Sequence, residues 1–189
     1  MVRKIIFLEG LPGVGKTTLI KKIESLNYKN IDVVHEIINK TILDNKPTTQ
    51  LDFMINDDLK LSKYNSNCII DRGPISTLSY NEAKQQIDKD YKFDNSKTNQ
   101  WFENYKSLLS SDDTYVYFLT TNKKSYHLPY NNTKDPYGSI KNQKLLETIT
   151  LTNCKKYVKN LIIKEYHKKN LEELAYEIVD KFMCPWWHN

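Results

Sequence analysis

Short apolar runs alternate with longer stretches of helical spacing along this chain. Unbroken apolar runs are typical of strands buried on both faces of a parallel sheet, and they predict strands at residues 5–8, 31–34, 68–70, 114–119 and 161–163. Apolar residues at helical spacing predict helices over residues 17–26, 37–64 (in two pieces broken at Pro47), 75–87, 99–109, 140–158 and 171–182. The last helix is expected to begin after Asn170, which belongs to a residue type that caps helix N-termini.

The order of these elements predicts the fold class. Strands that alternate with helices form βαβ units, so the expected architecture is α/β, with a parallel sheet covered by helices on both faces. The length of 189 residues suits a single domain over residues 1–189. Residues 120–140 carry several prolines and asparagines and predict a long loop, of a length usually reserved for lids or disorder.

Composition and charge narrow the class of partner. No apolar run reaches the roughly 20 residues that span a bilayer, and the start lacks a signal-peptide cleavage site, so we expect a cytoplasmic protein without a membrane partner. Three cysteines without a CxxC pair support neither a zinc site nor a disulfide framework. The net charge of +5 comes from scattered lysines rather than a basic stripe, which argues against a nucleic acid polymer as the partner.

Residues 10–17, GLPGVGKT, fit the phosphate-binding pattern GxxxxGK[ST] between a predicted strand and a predicted helix. Glycines let backbone N–H groups approach an anion closely, and the helix N-terminus adds partial positive charge. Lys16 would reach the β- and γ-phosphates of ATP, and the Thr17 hydroxyl would bind Mg²⁺. The expected nucleotide-binding residues are Gly10, Gly13, Val14, Gly15, Lys16, Thr17 and Thr18.

A second motif follows the third predicted strand. Among 28 basic residues only Arg3 and Arg72 are arginines, and Arg72 comes directly after Asp71 at the end of an apolar run. A planar guanidinium can hold two phosphate oxygens at once, which a lysine cannot do. Residues 122–125 read NKKS and do not match the NKxD of GTPases, so the two motifs together favour a kinase of small molecules over a GTPase or a motor.

The segments LEGLPGVGKTTL and DRGPISTLSYN resemble those of thymidylate kinases and deoxynucleoside kinases. Thymidylate kinases carry Asp-Arg-Tyr, then a serine, then alanine-tyrosine-glutamine; the residues at matching spacing here are Asp71, Arg72, Gly73, Ser76, Ser79, Tyr80 and Asn81. Gly73, Ser79 and Asn81 depart from that pattern. The resemblance implies a P-loop three-layer α/β/α sandwich with a five-stranded parallel sheet and a mobile lid at about residues 120–141. It also implies ATP as the donor, Mg²⁺ and a nucleoside-type acceptor.

The resemblance also implies roles for individual residues. Asp71 would help Thr17 hold Mg²⁺, and Arg72 would clamp phosphate near the acceptor. Glu36, just past the second predicted strand, matches the region of a glutamate that takes the proton from the acceptor hydroxyl in deoxynucleoside kinases. A structural ion pair is the alternative for Asp71 and Arg72, and an ordinary carboxylate at a helix N-terminus is the alternative for Glu36.

Both families use arginines on the lid and on the helix before the third strand, and this chain has none in either place. Its lid offers only lysines, namely Lys123, Lys124, Lys134 and Lys141. This argues against a monophosphate acceptor and leaves a non-nucleoside alcohol open. Asp57 and Asp58 are candidates for a sugar or a cationic group, although a solvated helix face is the favoured interpretation.

Four aromatic residues are candidates for stacking on an acceptor base, although core packing is the favoured interpretation for each one alone: Phe53, Tyr80, Trp101 and Phe102. Trp186 and Trp187 near the end of the chain would either dock on the body or be buried in a homodimer. The sequence thus predicts an ATP-dependent kinase of a nucleoside or nucleoside monophosphate. The alternatives are a kinase of a non-nucleoside alcohol, such as an antibiotic or metabolite, and a catalytically silent nucleotide-binding regulator.

Overall fold

Five parallel strands form the centre of the structure. A computed structural model describes residues 3–44, 48–63, 66–91, 93–120 and 137–183. Its strands are Ile5–Gly10 (β1), Ile31–Val34 (β2), Asn67–Asp71 (β3), Thr114–Thr120 (β4) and Asn160–Glu165 (β5). They lie in the order β2-β3-β1-β4-β5, and every neighbouring pair is parallel. The predicted α/β class and five-stranded parallel sheet are therefore confirmed.

Helices connect the strands within the described residues. They are Lys16–Ser25 (α1), Lys40–Leu43 (α2), Gln50–Lys63 (α3), Pro74–Ile87 (α4), Asn95–Leu109 (α5), Ile140–Tyr157 (α6) and Leu171–Asp180 (α7). In these ranges, no helix combines the length and apolarity needed to cross a bilayer. The lid predicted at residues 120–141 falls largely on residues 121–136, which lie outside the described residues, as does the tail with Trp186 and Trp187.

Local hydrogen bonds account for two differences from the prediction, one in a helix start and one in a helix cap. Helix α5 begins four residues earlier than expected, since the Asp94 carboxylate accepts from the Ser96 N–H and caps its first turn. The Asn170 side chain does not cap α7. It closes a short 3₁₀ turn instead, accepting from the His167 N–H and donating to the Glu165 carbonyl.

The side chains of β1 show why the sheet is covered on both faces. Ile5 and Phe7 pack in one hydrophobic cluster with residues of α3, α4, α5 and α6. Ile6 and Leu8 point the other way and pack with α1 and α7. Because successive strand residues face opposite sides, a continuous apolar run is what two helical layers require. The result is the three-layer α/β/α sandwich.

A crevice opens where β1 and β3 end side by side. The chain leaves β1 for α1 on one face of the sheet and leaves β3 for α4 on the other. In open α/β sheets, ligands bind outside the carboxyl ends of the strands at such a switch point. The phosphate-binding loop and the Asp71-Arg72 segment therefore meet at one edge.

Gly73 follows β3 and lies against the core. Its backbone is extended, with φ of −147°, so any residue could adopt it. A Cβ at this position would lie 2.4 Å from a ring carbon of Phe7, which is fully buried. Glycine is needed here for space, because any side chain would press on the Phe7 ring.

We expect Gly73→Ala to lower the free energy of unfolding by about 1–3 kcal/mol, because the added methyl group overpacks a rigid core. Urea denaturation with circular dichroism would measure the change. Gly138→Ala is the matched control, since Gly138 is exposed and its methyl group would enter solvent. Equal stability of both variants would contradict the packing argument.

Candidate active site

The loop between β1 and α1 contains backbone that only glycine tolerates well. Gly10 has φ of 132°, and a Cβ there would lie 2.3 Å from the Leu119 carbonyl oxygen. Gly15 has φ of 109°, and a Cβ there would lie 2.4 Å from the Tyr166 ring. Both positions therefore exclude larger residues for steric and conformational reasons. The loop has the form expected of a phosphate cradle.

The nucleotide-binding residues predicted from the sequence take different positions in this loop. Those that line the cleft are Gly13, Gly15, Lys16, Thr17 and Thr18. Gly10 is the last residue of β1, and the Val14 side chain packs in the core beside α1. These two residues support the loop from the side of the core and do not line the cleft.

Lys16 is buried and its ammonium group contacts its own loop. The Nζ donates to the carbonyl oxygens of Gly10 and Leu11, at 2.8 Å each. Burial, together with the nearby charge of Arg72, lowers the pKa of Lys16 to about 7. An incoming phosphate would compete with these two carbonyls for the ammonium group.

Arg72 lies at the centre of the site in a backbone conformation that is unusual for its residue type. Its φ is 59°, in the left-handed region, and its N–H donates to the Leu8 carbonyl at 3.0 Å. The Nη1 donates to the Tyr80 hydroxyl at 3.0 Å, and the guanidinium lies 5.3 Å from the centre of the Tyr80 ring. Strained backbone of this kind is typical of functional sites.

The same guanidinium pairs with Glu36. Arg72 Nε lies 2.8 Å from Glu36 Oε1, without the alignment of a full hydrogen bond. Burial alone would lower the pKa of Arg72, but Tyr80, Glu36, Glu9 and Asp71 together raise it, so the group stays charged. The Glu36 side chain is 45% exposed, against 9% for Arg72, and thus faces the cleft.

Asn56 of α3 fixes the backbone around Glu36. Its Oδ1 accepts from the N–H groups of Ile38 and Asn39, at 2.8 and 2.9 Å, and its Nδ2 donates to the Glu36 carbonyl at 2.9 Å. The buried amide thus satisfies three backbone groups of an irregular segment. Glu36 is therefore held on a fixed loop rather than at a helix N-terminus.

Asp71 ends β3 beside this cluster. It is buried, and its Oδ1 has no hydrogen-bond partner among the described residues. Burial raises the pKa of Asp71, and the charge of Lys16 opposes that shift. A buried carboxylate oxygen that has no hydrogen-bond partner is suited to bind a cation. Thr17, in the first turn of α1, is exposed and lines the cleft.

Glu9, to which the sequence analysis gave no role, is fully buried between β1 and the turn after β3. Its Oε1 accepts from the Gly73 N–H at 3.0 Å, and its Oε2 accepts from the Ser76 hydroxyl. Burial raises the pKa of Glu9 to about 7, against the lowering effects of Ser76 and Arg72. One signal was available in the sequence, namely an acidic residue at the end of an otherwise apolar strand.

The interpretation of Asp57 as part of a solvated helix face is wrong. Asp57 and Lys60 of α3 are buried and paired, with Lys60 Nζ 3.2 Å from Asp57 Oδ1. Asp57 Oδ2 accepts from the Thr77 hydroxyl at 2.6 Å, and burial raises the pKa of Asp57. Lys60 also donates to the carbonyl oxygens of Asp71 and Arg72, at 3.1 Å each.

The cleft has a volume of about 850 Å³ and an aromatic side. The aromatic residues that line it are Phe53, Tyr80, Tyr91, Phe93 and Tyr137. Trp101 and Phe102 are not among them: both pack in the core, and the Trp101 indole N–H donates to Asp58 at 2.8 Å. The favoured core-packing interpretation is therefore correct for these two residues, base stacking is not, and Asp58 serves as an acceptor between α3 and α5.

No protein-family model matches this chain, and no curated protein matches it in sequence. Solved structures do match it in fold. Thymidylate kinase from Candida albicans superposes with a TM-score of 0.60 at 17% identity, over 94% of this chain and 90% of that protein. Thymidylate kinase from Ehrlichia chaffeensis gives a TM-score of 0.61 at 15% identity, over 97% and 100%.

A deoxyadenosine kinase is similar to the same extent. The structure of the M. mycoides enzyme with bound dCTP superposes with a TM-score of 0.63 at 16% identity, over 93% of this chain and 98% of that protein. The likeness covers nearly the whole length of each protein, so the complete layer architecture is shared. This chain therefore has the fold of these thymidylate and deoxyadenosine kinases.

Proposed function

We propose that this protein is a kinase that transfers the γ-phosphate of ATP to a nucleoside-type acceptor. The observation that carries the proposal is the meeting of the phosphate-binding loop, Asp71, Arg72 and Glu36 at one edge of the sheet. The aromatic side of the cleft would receive a planar base. The kinase fold of the solved relatives supports the same assignment.

The charged groups around Arg72 favour a nucleoside over a nucleoside monophosphate. Arg72 is already paired with Glu36 and Tyr80, and the Lys60 ammonium is used by Asp57 and by backbone carbonyls. An acceptor phosphate would therefore meet carboxylates as well as a single guanidinium. An uncharged hydroxyl could approach the exposed side of the Glu36 carboxylate without this repulsion.

Each catalytic residue would contribute through position and charge, as phosphoryl transfer requires. The Lys16 ammonium would turn from the loop carbonyls to the β- and γ-phosphates of ATP. Glu36 would accept the proton of the acceptor hydroxyl, and Arg72 would bind the transferred phosphoryl group. Thr17 and the unpartnered oxygen of Asp71 would hold Mg²⁺, which would neutralise charge on the β- and γ-phosphates when bound.

The proposal also covers the domain organisation, the location and the partners of the enzyme. It is taken to work as a single cytoplasmic domain on small molecules, without a nucleic acid polymer or a membrane, and a homodimer remains open. A kinase of a non-nucleoside alcohol is the second candidate, because the segment at residues 120–141 has lysines where the relatives have arginines. A silent nucleotide-binding regulator is the third.

One assay separates these candidates. The protein is incubated with Mg-ATP and a panel of nucleosides, nucleoside monophosphates and small alcohols, and phosphorylated products are detected by mass spectrometry. We expect phosphorylation of at least one nucleoside. Phosphorylation of an alcohol while all nucleosides stay inert would select the second candidate, and tight ATP binding without any transfer would select the third.

Arg72→Lys is expected to lower kcat by a factor on the order of 10², because one ammonium cannot contact Glu36, Tyr80 and a phosphoryl group together. Steady-state kinetics on the acceptor found in the panel would measure this. Lys155→Met, at an exposed lysine in the last turn of α6 and away from the cleft, is the matched control and should leave kcat near the original value. A turnover for Arg72→Lys close to that of the unchanged protein would rule out the clamp.

Glu36→Gln is expected to lower kcat by about 10²- to 10⁴-fold, since the amide cannot accept the acceptor proton. The affinity for ATP should stay unchanged, because Glu36 lies on the acceptor side of the cleft. Kinetics and calorimetric ATP binding measure the two effects separately. Glu24→Gln, on the exposed side of α1, is the control, and an equal loss of rate in both variants would contradict the role of Glu36 as the base.

Lys16 is expected to take up a proton when ATP binds. Because its pKa is about 7 in the free protein, most of the amine is neutral at about pH 8, and bound phosphates would favour the charged form. ATP affinity should therefore fall as the pH rises above about 7. Calorimetry in two buffers of different ionisation enthalpy measures the uptake, and Lys16→Met should abolish it. An unchanged uptake in that variant would contradict the assignment.

A further inference from the structure

A buried lysine holds the turn that carries Asp71 and Arg72. Lys60 reaches from α3 to the end of β3 and donates to two successive carbonyl oxygens, those of Asp71 and Arg72, at 3.1 Å each. Lys60 is only 2% exposed. An ammonium group this deep in a protein needs partners for its hydrogens, and here two of the three partners are the peptide groups of the turn.

The same turn is bound on its other side by Glu9. The Glu9 carboxylate accepts from the Gly73 N–H, and the Arg72 N–H donates to the Leu8 carbonyl in β1. The peptide groups on both sides of Arg72 are therefore bound by buried partners. This matters because left-handed backbone at a non-glycine residue persists only where its surroundings fix it.

Lys60 also has a simpler interpretation, as the counterion of Asp57. That carboxylate is buried, lies 3.2 Å from the ammonium, and accepts from Thr77 of α4. If neutralising Asp57 were its whole role, the two contacts to the turn would be incidental. The two interpretations differ in what happens when Asp57 and Lys60 are made neutral together.

We propose that Lys60 is a positioning residue that keeps Asp71 and Arg72 aimed into the cleft. The inference rests on the proposed function, because it assigns a task to a residue that acts through two groups of that site. Loss of the Lys60 ammonium would leave the carbonyl oxygens of Asp71 and Arg72 without this partner, and the turn could then relax. Asp71 and Arg72 would then lose their alignment together, although neither had been changed.

The test compares three variants of the full chain. Lys60→Met removes the ammonium at similar length, and the double variant Asp57→Asn with Lys60→Met removes the pair without leaving an unpaired charge in the core. Lys106→Met is the matched control, because Lys106 pairs with Glu103 at the same helical spacing but on the surface. If Lys60→Met alone fails to fold, the double variant carries the test, since neutral replacement of a buried pair is often tolerated.

Two measurements test the role of Lys60 without any phosphate acceptor. The first is ATP affinity with and without Mg²⁺, for which we expect the gain due to Mg²⁺ to shrink about 10- to 100-fold in both Lys60 variants. The second is amide hydrogen exchange of the peptide that spans residues 71–73, which should become faster in both. Melting temperature monitors folding, and the Lys106 control should match the unchanged protein throughout.

The outcomes separate this inference from the proposed function. A double variant that behaves like the unchanged protein in both measurements would overturn it, because Lys60 would then only neutralise Asp57. A loss of kcat alone, with both measurements unchanged, would also overturn it, since Lys60 would then contact the acceptor itself. If no acceptor is ever phosphorylated, the proposed function fails, while ATP affinity and amide exchange still decide the role of Lys60.

Discussion

The hydrogen bond from the Gly73 N–H to the Glu9 carboxylate ties the end of β3 to the end of β1, and the whole cleft depends on that tie. The two strands supply the phosphate-binding loop and the Asp71-Arg72 turn, which must stay at a fixed separation. A carboxylate can hold this position because it is buried beside Arg72, and Arg72 offsets part of the cost of burying it. The charged groups of the site thus stabilise one another before any ligand arrives.

The presence of arginine at position 72 in a lysine-rich chain follows from this arrangement. The guanidinium contacts Glu36 from the loop after β2 and Tyr80 from α4 at the same time, while it remains beside the cleft. A compact ammonium group has neither the reach nor the planar set of donors for such a task. The residue therefore organises three segments of the chain in addition to its proposed contact with phosphate.

The sequence was sufficient for the sheet, the glycine-rich loop after β1 and the position of Arg72 beside the cleft, because each leaves a local pattern. Residues 31–34 were predicted as a strand with its observed bounds, since three of the four residues are β-branched and apolar. Asp57 and Lys60 could not be recognised in this way. Their spacing is the same as that of a surface ion pair, and their burial depends on Thr77 and the turn at Asp71, which are distant in sequence. Core packing was the favoured interpretation for Trp101 and Phe102, but base stacking stayed an alternative because an apolar helix face does not reveal which neighbour covers it.

The contact between Gly15 and Tyr166 has a consequence for how such a chain can vary. The Tyr166 ring occupies the space in which a Gly15 side chain would lie, so the end of β5 limits the shape of a loop that belongs to β1. Substitutions at these two positions are therefore not independent. A smaller residue at 166 would make room for a side chain at Gly15 but would not change the positive φ of that position. Replacing both residues together would therefore remove the steric conflict and leave the conformational strain.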